Sequence, residues 1–288
     1  MLADSREPPD RVGEHIGSPD ARHLLVLLSI PGCLRHAVQE VSGPPSSQVD
    51  ELRARHATPS ELLPIDSRIR IRLHETLTPD ERPLELGCAT ERQYSMGGYW
   101  IVTRTEAHDR LVDLSFDGIS EPAFGPAFPS SARGQVLLGA LRGGTYPIHL
   151  RINGDLVPAR LVVHPDSFEV LHGDGPWTRF PTPVLHRVPP GIIWGLISWG
   201  PADQSARVQA FLDGLASIGA REVRLAPGDY DYFHIGGDGQ IVTRQAREAE
   251  FLFSFSGDST ALSRVMRWYA GPVSIRIHDS IGRAWSAG

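Results

Sequence analysis

From residue 68 onward the chain alternates apolar and polar positions with a period of two. Ile69, Ile71 and Leu73 are separated by Arg70 and Arg72, which predicts a strand with one buried face over 68–73. The same alternation predicts strands over 99–104, 111–116, 135–141, 145–152, 156–164 and 167–171. Asp117-Gly118, Gly143-Gly144 and Pro165-Asp166 punctuate them. Asn153-Gly154-Asp155 reads as a hairpin turn, because Asn-Gly accepts the positive φ of a type I′ turn. Short strands with turn signals about every 8–12 residues predict an antiparallel β-sandwich over 67–183.

The period changes in the last third. Residues 192–199 form an almost wholly apolar run of strand length, as a central strand does. Asp203 is placed to cap a helix in which Val208, Phe211, Leu212, Leu215 and Ile218 follow helical spacing, and Gly219 stands where a terminating glycine belongs. Residues 222–225 and 230–235 read as strands, and Gly236-Gly237-Asp238-Gly239 turns the chain back into 240–243. Phe251, Phe253 and Phe255 alternate on a further strand. Asp258 or Ser259 caps a second helix carrying Leu262, Val265, Met266 and Tyr269 on one face; Gly271 stops it, and 273–278 is the last strand. The order β-α-β-β-α-β predicts a ferredoxin-like α/β sandwich over 184–288. The expected fold class is thus a β-rich two-domain protein, with 186–288 able to fold alone. One large domain spanning 68–288 is the competing architecture.

The stretch from Leu141 through Tyr146, Leu150, Asn153 and Gly154 to Leu161-Val162-Val163 resembles the last strands of bacterial immunoglobulin-like domains. Those carry a Gly-x-Tyr step, an extended strand, an Asn-Gly turn and a returning Leu/Val strand. The resemblance implies a spacer or binding module and, by itself, no activity.

Residues 1–20 are polar, without apolar periodicity, and predict disorder. Arg22-His23 then precede the apolar run 24–30. That run is too short to span a bilayer, which takes about 20 residues, and fits a signal-peptide core of roughly 7–15. Its end, Ile30-Pro31-Gly32-Cys33, resembles the cleavage site of bacterial lipoprotein signal peptides: an aliphatic residue, two small residues and a cysteine. Gly32 and Cys33 match, Ile30 supplies the aliphatic position, and Pro31 departs from the pattern. The resemblance implies lipidation of Cys33, removal of the leader 1–32, and a Pro- and Ser-rich tether over 34–66. The alternative is a helix over 21–41 broken at Pro31-Gly32, with 24–30 packed into a core.

With 28 basic and 34 acidic residues the net charge is −6. No basic block interrupts the chain, so phosphate neutralisation, and with it nucleic-acid binding, is not expected. Every basic residue is Arg, scattered rather than clustered. The 29 Gly and 24 Pro exceed the usual share of roughly 12% and favour turns and short strands over a helix bundle. Two cysteines, Cys33 and Cys88, cannot build a metal site without help, and a single disulfide between them is the alternative to lipidation.

Candidate chemistry is sparse. Were 228–234 a strand, Asp229 and Asp231 would share one face and Tyr230 and Tyr232 the other, with His234 following. Such paired carboxylates suit acid–base work or cation binding, or form an ordinary solvated face. His164-Pro165-Asp166 and His172-Gly173-Asp174 place two His–Asp pairs eight residues apart, as a metal site or as polar turns. His278-Asp279 has the same two uses. Cys88 reads as a packed small residue. Trp194, Trp199, Trp268 and Trp285 could stack on a ligand, but their spacing places most of them in a core. No nucleophile elbow, Walker A, HExxH or dinucleotide fingerprint occurs, and no cofactor is expected.

These observations lead to a cell-envelope protein, extracytoplasmic and held to the membrane through a lipid on Cys33, that binds a protein or small molecule or acts as a scaffold. Two alternatives stand beside it. One is a hydrolase or lyase using Asp229, Asp231 and His234. The other is a cytoplasmic structural protein.

Overall fold

The computed structural model describes residues 62–288 apart from Asp109 and Arg244; the leader, Cys33 and most of the expected tether lie outside these residues. Ten strands form the first sheet: β1 (Ile69–Glu75), β2 (Leu84–Tyr94), β3 (Trp100–His108), β4 (Leu111–Ser120), β5 (Ser130–Gly139), β6 (Gly144–Ile152), β7 (Asp155–Val163), β8 (Ser167–Leu171), β9 (Thr178–Arg179) and β10 (Val184–His186). Their order is β10-β8-β7-β6-β4-β3-β5-β2-β1-β9. Ile69, Ile71 and Leu73 on β1, Tyr146, Ile148 and Leu150 on β6 and Val157, Leu161 and Val163 on β7 all point into one core. A single sheet can bury alternate residues of strands so far apart in its order only by curling over on itself. The result is a β-rich fold built on a large curled sheet.

The 145–152 and 156–164 strands pair across Asn153 (φ 52°) and Gly154 (φ 87°), the turn that the Asn-Gly pair dictates. The sequence pattern did not single out β2, whose alternation is carried by Leu84, Leu86, Cys88 and the fully buried Thr90. Glycine, cysteine and alanine dilute its β-forming character. The Thr90 hydroxyl donates to the Arg92 carbonyl (2.8 Å) and accepts from the Ala132 amide (2.9 Å), which satisfies it inside the sheet.

The second sheet is antiparallel and contains β11 (Ile192–Trp199), β12 (Arg221–Glu222), β15 (Glu248–Ser254), β16 (Val273–Asp279) and β17 (Ala284–Ala287), in the order β12-β15-β11-β16-β17. Helices α1 (Ser205–Ser217) and α2 (Ser259–Tyr269) cover one face, where Val208, Phe211, Leu215, Leu262 and Met266 meet Ile193, Ile197, Phe251, Phe253, Ile275 and Ile277. Asp258 caps α2 by accepting from the Thr260 amide (2.9 Å), as its position predicts. Asp203 instead accepts from the Ser205 amide one residue outside the cap, and that bond lowers its pKa. Trp268 lies on the solvent side of α2 at 78% exposure.

Phe251, Leu252 and Phe253 are all buried, so β15 does not expose its second face. That face is covered by the segment between β12 and β15. There β13 (Gly228–Asp229) and β14 (His234–Ile235) form a small hairpin whose Tyr230, Phe233 and Ile235 pack with Ile192, Trp194 and Leu252. Leu77, from the loop after β1, joins the same cluster. The described residues all fall within one compact unit. Among them no helix is long and apolar enough to cross a membrane.

Candidate functional site

The segment expected to be one strand over 230–235 is a tight turn. Tyr230 N donates to Phe233 O (3.0 Å), Tyr232 N donates to Tyr230 O (2.8 Å), and Asp231 sits at φ 69°. Aspartate is among the few non-glycine residues that tolerate this left-handed region. The turn removes the shared face on which Asp229 and Asp231 would have paired. Asp229 Oδ1 accepts from the Asp231 amide (3.2 Å), so it braces the turn. His234 lies opposite Asp229 in the hairpin register with its side chain exposed. Asp231 swings across to β1, where its Oδ2 pairs with His74 Nδ1.

His74 belongs to a junction between β1 and the 228–235 hairpin. Next to it, Glu75 is 3% exposed and in phase with the buried residues of β1. Its Oε1 accepts from Arg187 Nε (2.8 Å) and its Oε2 from Arg82 Nη2, and Arg82 Nη1 also donates to Val188 O (2.8 Å). The Tyr232 hydroxyl donates to Glu75 O (2.9 Å) and accepts from the Leu77 amide (3.2 Å). Tyr232 lies between His74 (6.1 Å between centroids) and Trp194 (5.5 Å), and Trp194 stacks on His278 (5.8 Å, 19°). This chain of rings links β1 to the middle of the second sheet.

Burial tunes the junction. The hydrogen bond that the His74 ring donates to the Asp231 carboxylate raises the His74 pKa, with the Asp231, Glu85 and Glu75 charges adding to it against desolvation. Burial pushes the Tyr232 hydroxyl up to about 12, so it stays a neutral donor. Burial lowers the His278 pKa, reinforced by Arg276 and opposed by Asp279.

A raised His74 pKa means that the pair stabilises the fold fully below pH 6.5, the ordinary value, and that this contribution is lost as pH rises through the folded value. His278 acts with the opposite sign: its contribution is present above pH 6.5 and is lost as pH falls through its lowered folded value. Asp231→Asn isolates the first effect, because Asn also accepts the left-handed backbone and leaves His278 in place. The stability difference between wild type and Asp231→Asn, measured by denaturant unfolding, should be largest below pH 6.5 and shrink as pH rises. A difference independent of pH would mean that the ion pair does not form. The His74 side chain is 41% exposed, so solvent screening keeps the effect small.

The other candidates take separate local roles. His164 Nε2 lies 3.5 Å from Glu169 Oε2 on the exposed strand surface. Asp166 accepts from the Ser167 hydroxyl (3.3 Å), and Asp174 Oδ1 accepts from the Phe180 amide (2.7 Å). His172 is exposed at φ 60°. Asp279 closes the turn before β17, accepting from the Ile281 and Arg283 amides and from Arg283 Nε (2.7 Å). Among the described residues no group of three or more His, Cys, Asp or Glu is arranged to hold a metal. Cys88 is a free thiol inside the first core, and burial pushes its pKa up to about 12, which leaves it unreactive at neutral pH.

Two shallow clefts lie away from the junction. One, of about 200 Å³, is lined by Gly191, Ile193, Ser259, Asp279, Arg283 and Trp285. The other, of about 350 Å³, is lined by Leu63, Asp66, Arg92, Tyr94 and Tyr99. His74 and Asp231 line neither; the pair has the base-and-orienter contact of a catalytic dyad. Sequence reasoning missed His74, Glu75, Arg82 and Arg187. The available signal was Glu75 itself, a carboxylate in register with Ile69, Ile71 and Leu73 on a buried face.

Compared with known proteins, the chain matches no family model, no curated protein and no solved structure.

Proposed function

We propose that the protein is a lipid-anchored cell-envelope protein that works by binding or scaffolding. The observation that carries this is the run 24–30 after Arg22-His23, ending in Ile30-Pro31-Gly32-Cys33. The fold is compatible with a spacer or binding module. In the second sheet, the order β12-β15-β11-β16 with two helices on one face supports a ferredoxin-like reading of residues 184–288. The hairpin of β6 and β7 supports the immunoglobulin-like reading of 67–183.

Cys33→Ser is the test. Each buried acyl CH₂ contributes about 0.8 kcal/mol, so removing the acyl chains removes essentially all anchoring energy. Wild type should fractionate with membranes and Cys33→Ser should be released from them, with unchanged thermal unfolding. A wild type already found in the cytoplasm would point to the cytoplasmic structural alternative.

The hydrolase or lyase reading draws on one specific observation, the contact between Asp231 and His74. Under that reading His74→Gln abolishes turnover of a hydrolysable substrate at unchanged stability. A variant that changes only stability assigns the pair to the junction alone.

A further inference from the structure

Between β4 and β5 the chain runs Pro122-Ala-Phe124-Gly-Pro126-Ala-Phe128-Pro129, eight residues without a charge. Phe124 is 89% exposed and Phe128 58%. Burying an aromatic ring is worth kilocalories, so a flexible loop would fold these rings onto the protein. Here the backbone holds them out. The Gly97 amide donates to Pro126 O (2.9 Å), and Gly125 lies so close to Gly97 that a Cβ there would fall 1.9 Å from the Gly97 carbonyl oxygen. At the loop's start, the Glu121 carboxylate accepts from the Tyr99 hydroxyl (2.8 Å).

The N-terminal chain enters the fold at this same end. Leu63 and Ile119 exchange backbone hydrogen bonds of 2.9 and 2.8 Å, and Ile119 lies three residues before Pro122, where the loop begins. Leu63 is itself exposed at 38%. The residues between Cys33 and Leu62 reach at most about 100 Å when extended, so an anchor at Cys33 keeps this end within reach of the bilayer.

Resting on the lipid-anchor reading, we infer that the 122–129 loop is a second membrane contact, with Phe124 and Phe128 inserted at the lipid interface beside the tether. Two uncharged aromatic-bearing turns add apolar area to the acyl anchor and set the orientation of the fold. The gain is orientational: the first sheet stands end-on to the membrane. The opposite end, where Arg142 precedes β6, faces away from it.

The test uses the full lipidated chain in vesicles of phosphatidylcholine and phosphatidylglycerol. A single environment-sensitive fluorophore is placed through Phe124→Cys or, in a second preparation, Arg142→Cys. Buried Cys88 and acylated Cys33 do not compete for the label. Nitroxide-bearing lipids should quench the label at position 124 several-fold more than that at 142. Equal quenching at the two positions in vesicle-bound protein overturns the inference and leaves the anchor reading intact. Protein that does not associate with vesicles at all defeats the anchor reading instead, and the inference with it. A label at 124 that is protected from lipid quenching, but only in a concentration-dependent dimer, would assign the loop to a second copy and likewise overturn it.

Discussion

Glu75→Ala should lower stability by about 3 kcal/mol and the melting temperature by roughly 6–12 °C. The carboxylate is almost fully buried and accepts from both Arg82, in the loop after β1, and Arg187, just after β10. Removing it leaves two guanidinium groups, each about one-fifth exposed, facing one another without an anion. Breaking a buried pair from one side costs more than the pair contributes, because the remaining charge stays desolvated. The partial exposure of the arginines places the expected value at the low end of the roughly 3–5 kcal/mol that breaking a buried pair from one side costs. Glu75→Gln retains the shape and one acceptor and should fall between wild type and alanine. Denaturant unfolding of the three proteins orders them. Equal stability of alanine and wild type would show that the arginines find water or other partners at no cost.

Gly195→Ala should cost a comparable amount, about 3 kcal/mol, for a steric reason. Gly195 lies in the central strand β11, opposite Phe251 on one side and Ile277 on the other. A Cβ there would sit 2.3 Å from the Arg276 carbonyl oxygen and 2.5 Å from the Phe251 ring. The oxygen belongs to a hydrogen-bonded strand and cannot step aside without breaking the ladder. Gly237, where an added Cβ meets open space, provides the control: Gly237→Ala should change stability by no more than about 0.5 kcal/mol. Similar thermal shifts for both variants would contradict the packing around β11.

Much of the strand content was legible because alternation is a local property. Ile69, Ile71 and Leu73 face the core whatever their partners are, and Asn153-Gly154 makes its turn from its own backbone preferences. The helices were legible for the same reason, through Phe211 and Leu215 in one and Leu262 and Met266 in the other. Residues 228–235 misled because Asp-Tyr-Asp-Tyr-Phe alternates polar and apolar positions as a strand does. Asp231 takes up a left-handed turn, and its carboxylate finds a histidine far back in the chain.

Periodicity, capping and turn chemistry therefore established both helices and most of the longer strands, and the 24–33 segment carried the only pointer to location. Tertiary structure decided how those segments meet. Glu75 and Arg187 are 112 residues apart, and Tyr232 and Glu75 are 157 apart. Nothing in the neighbourhood of either partner names the other. Such contacts are selected by the global burial of β15 on both faces and of Glu75 on the core side of β1. A buried charge must be neutralised by whatever cation the fold brings to it, and that choice exists only once the chain has closed around it.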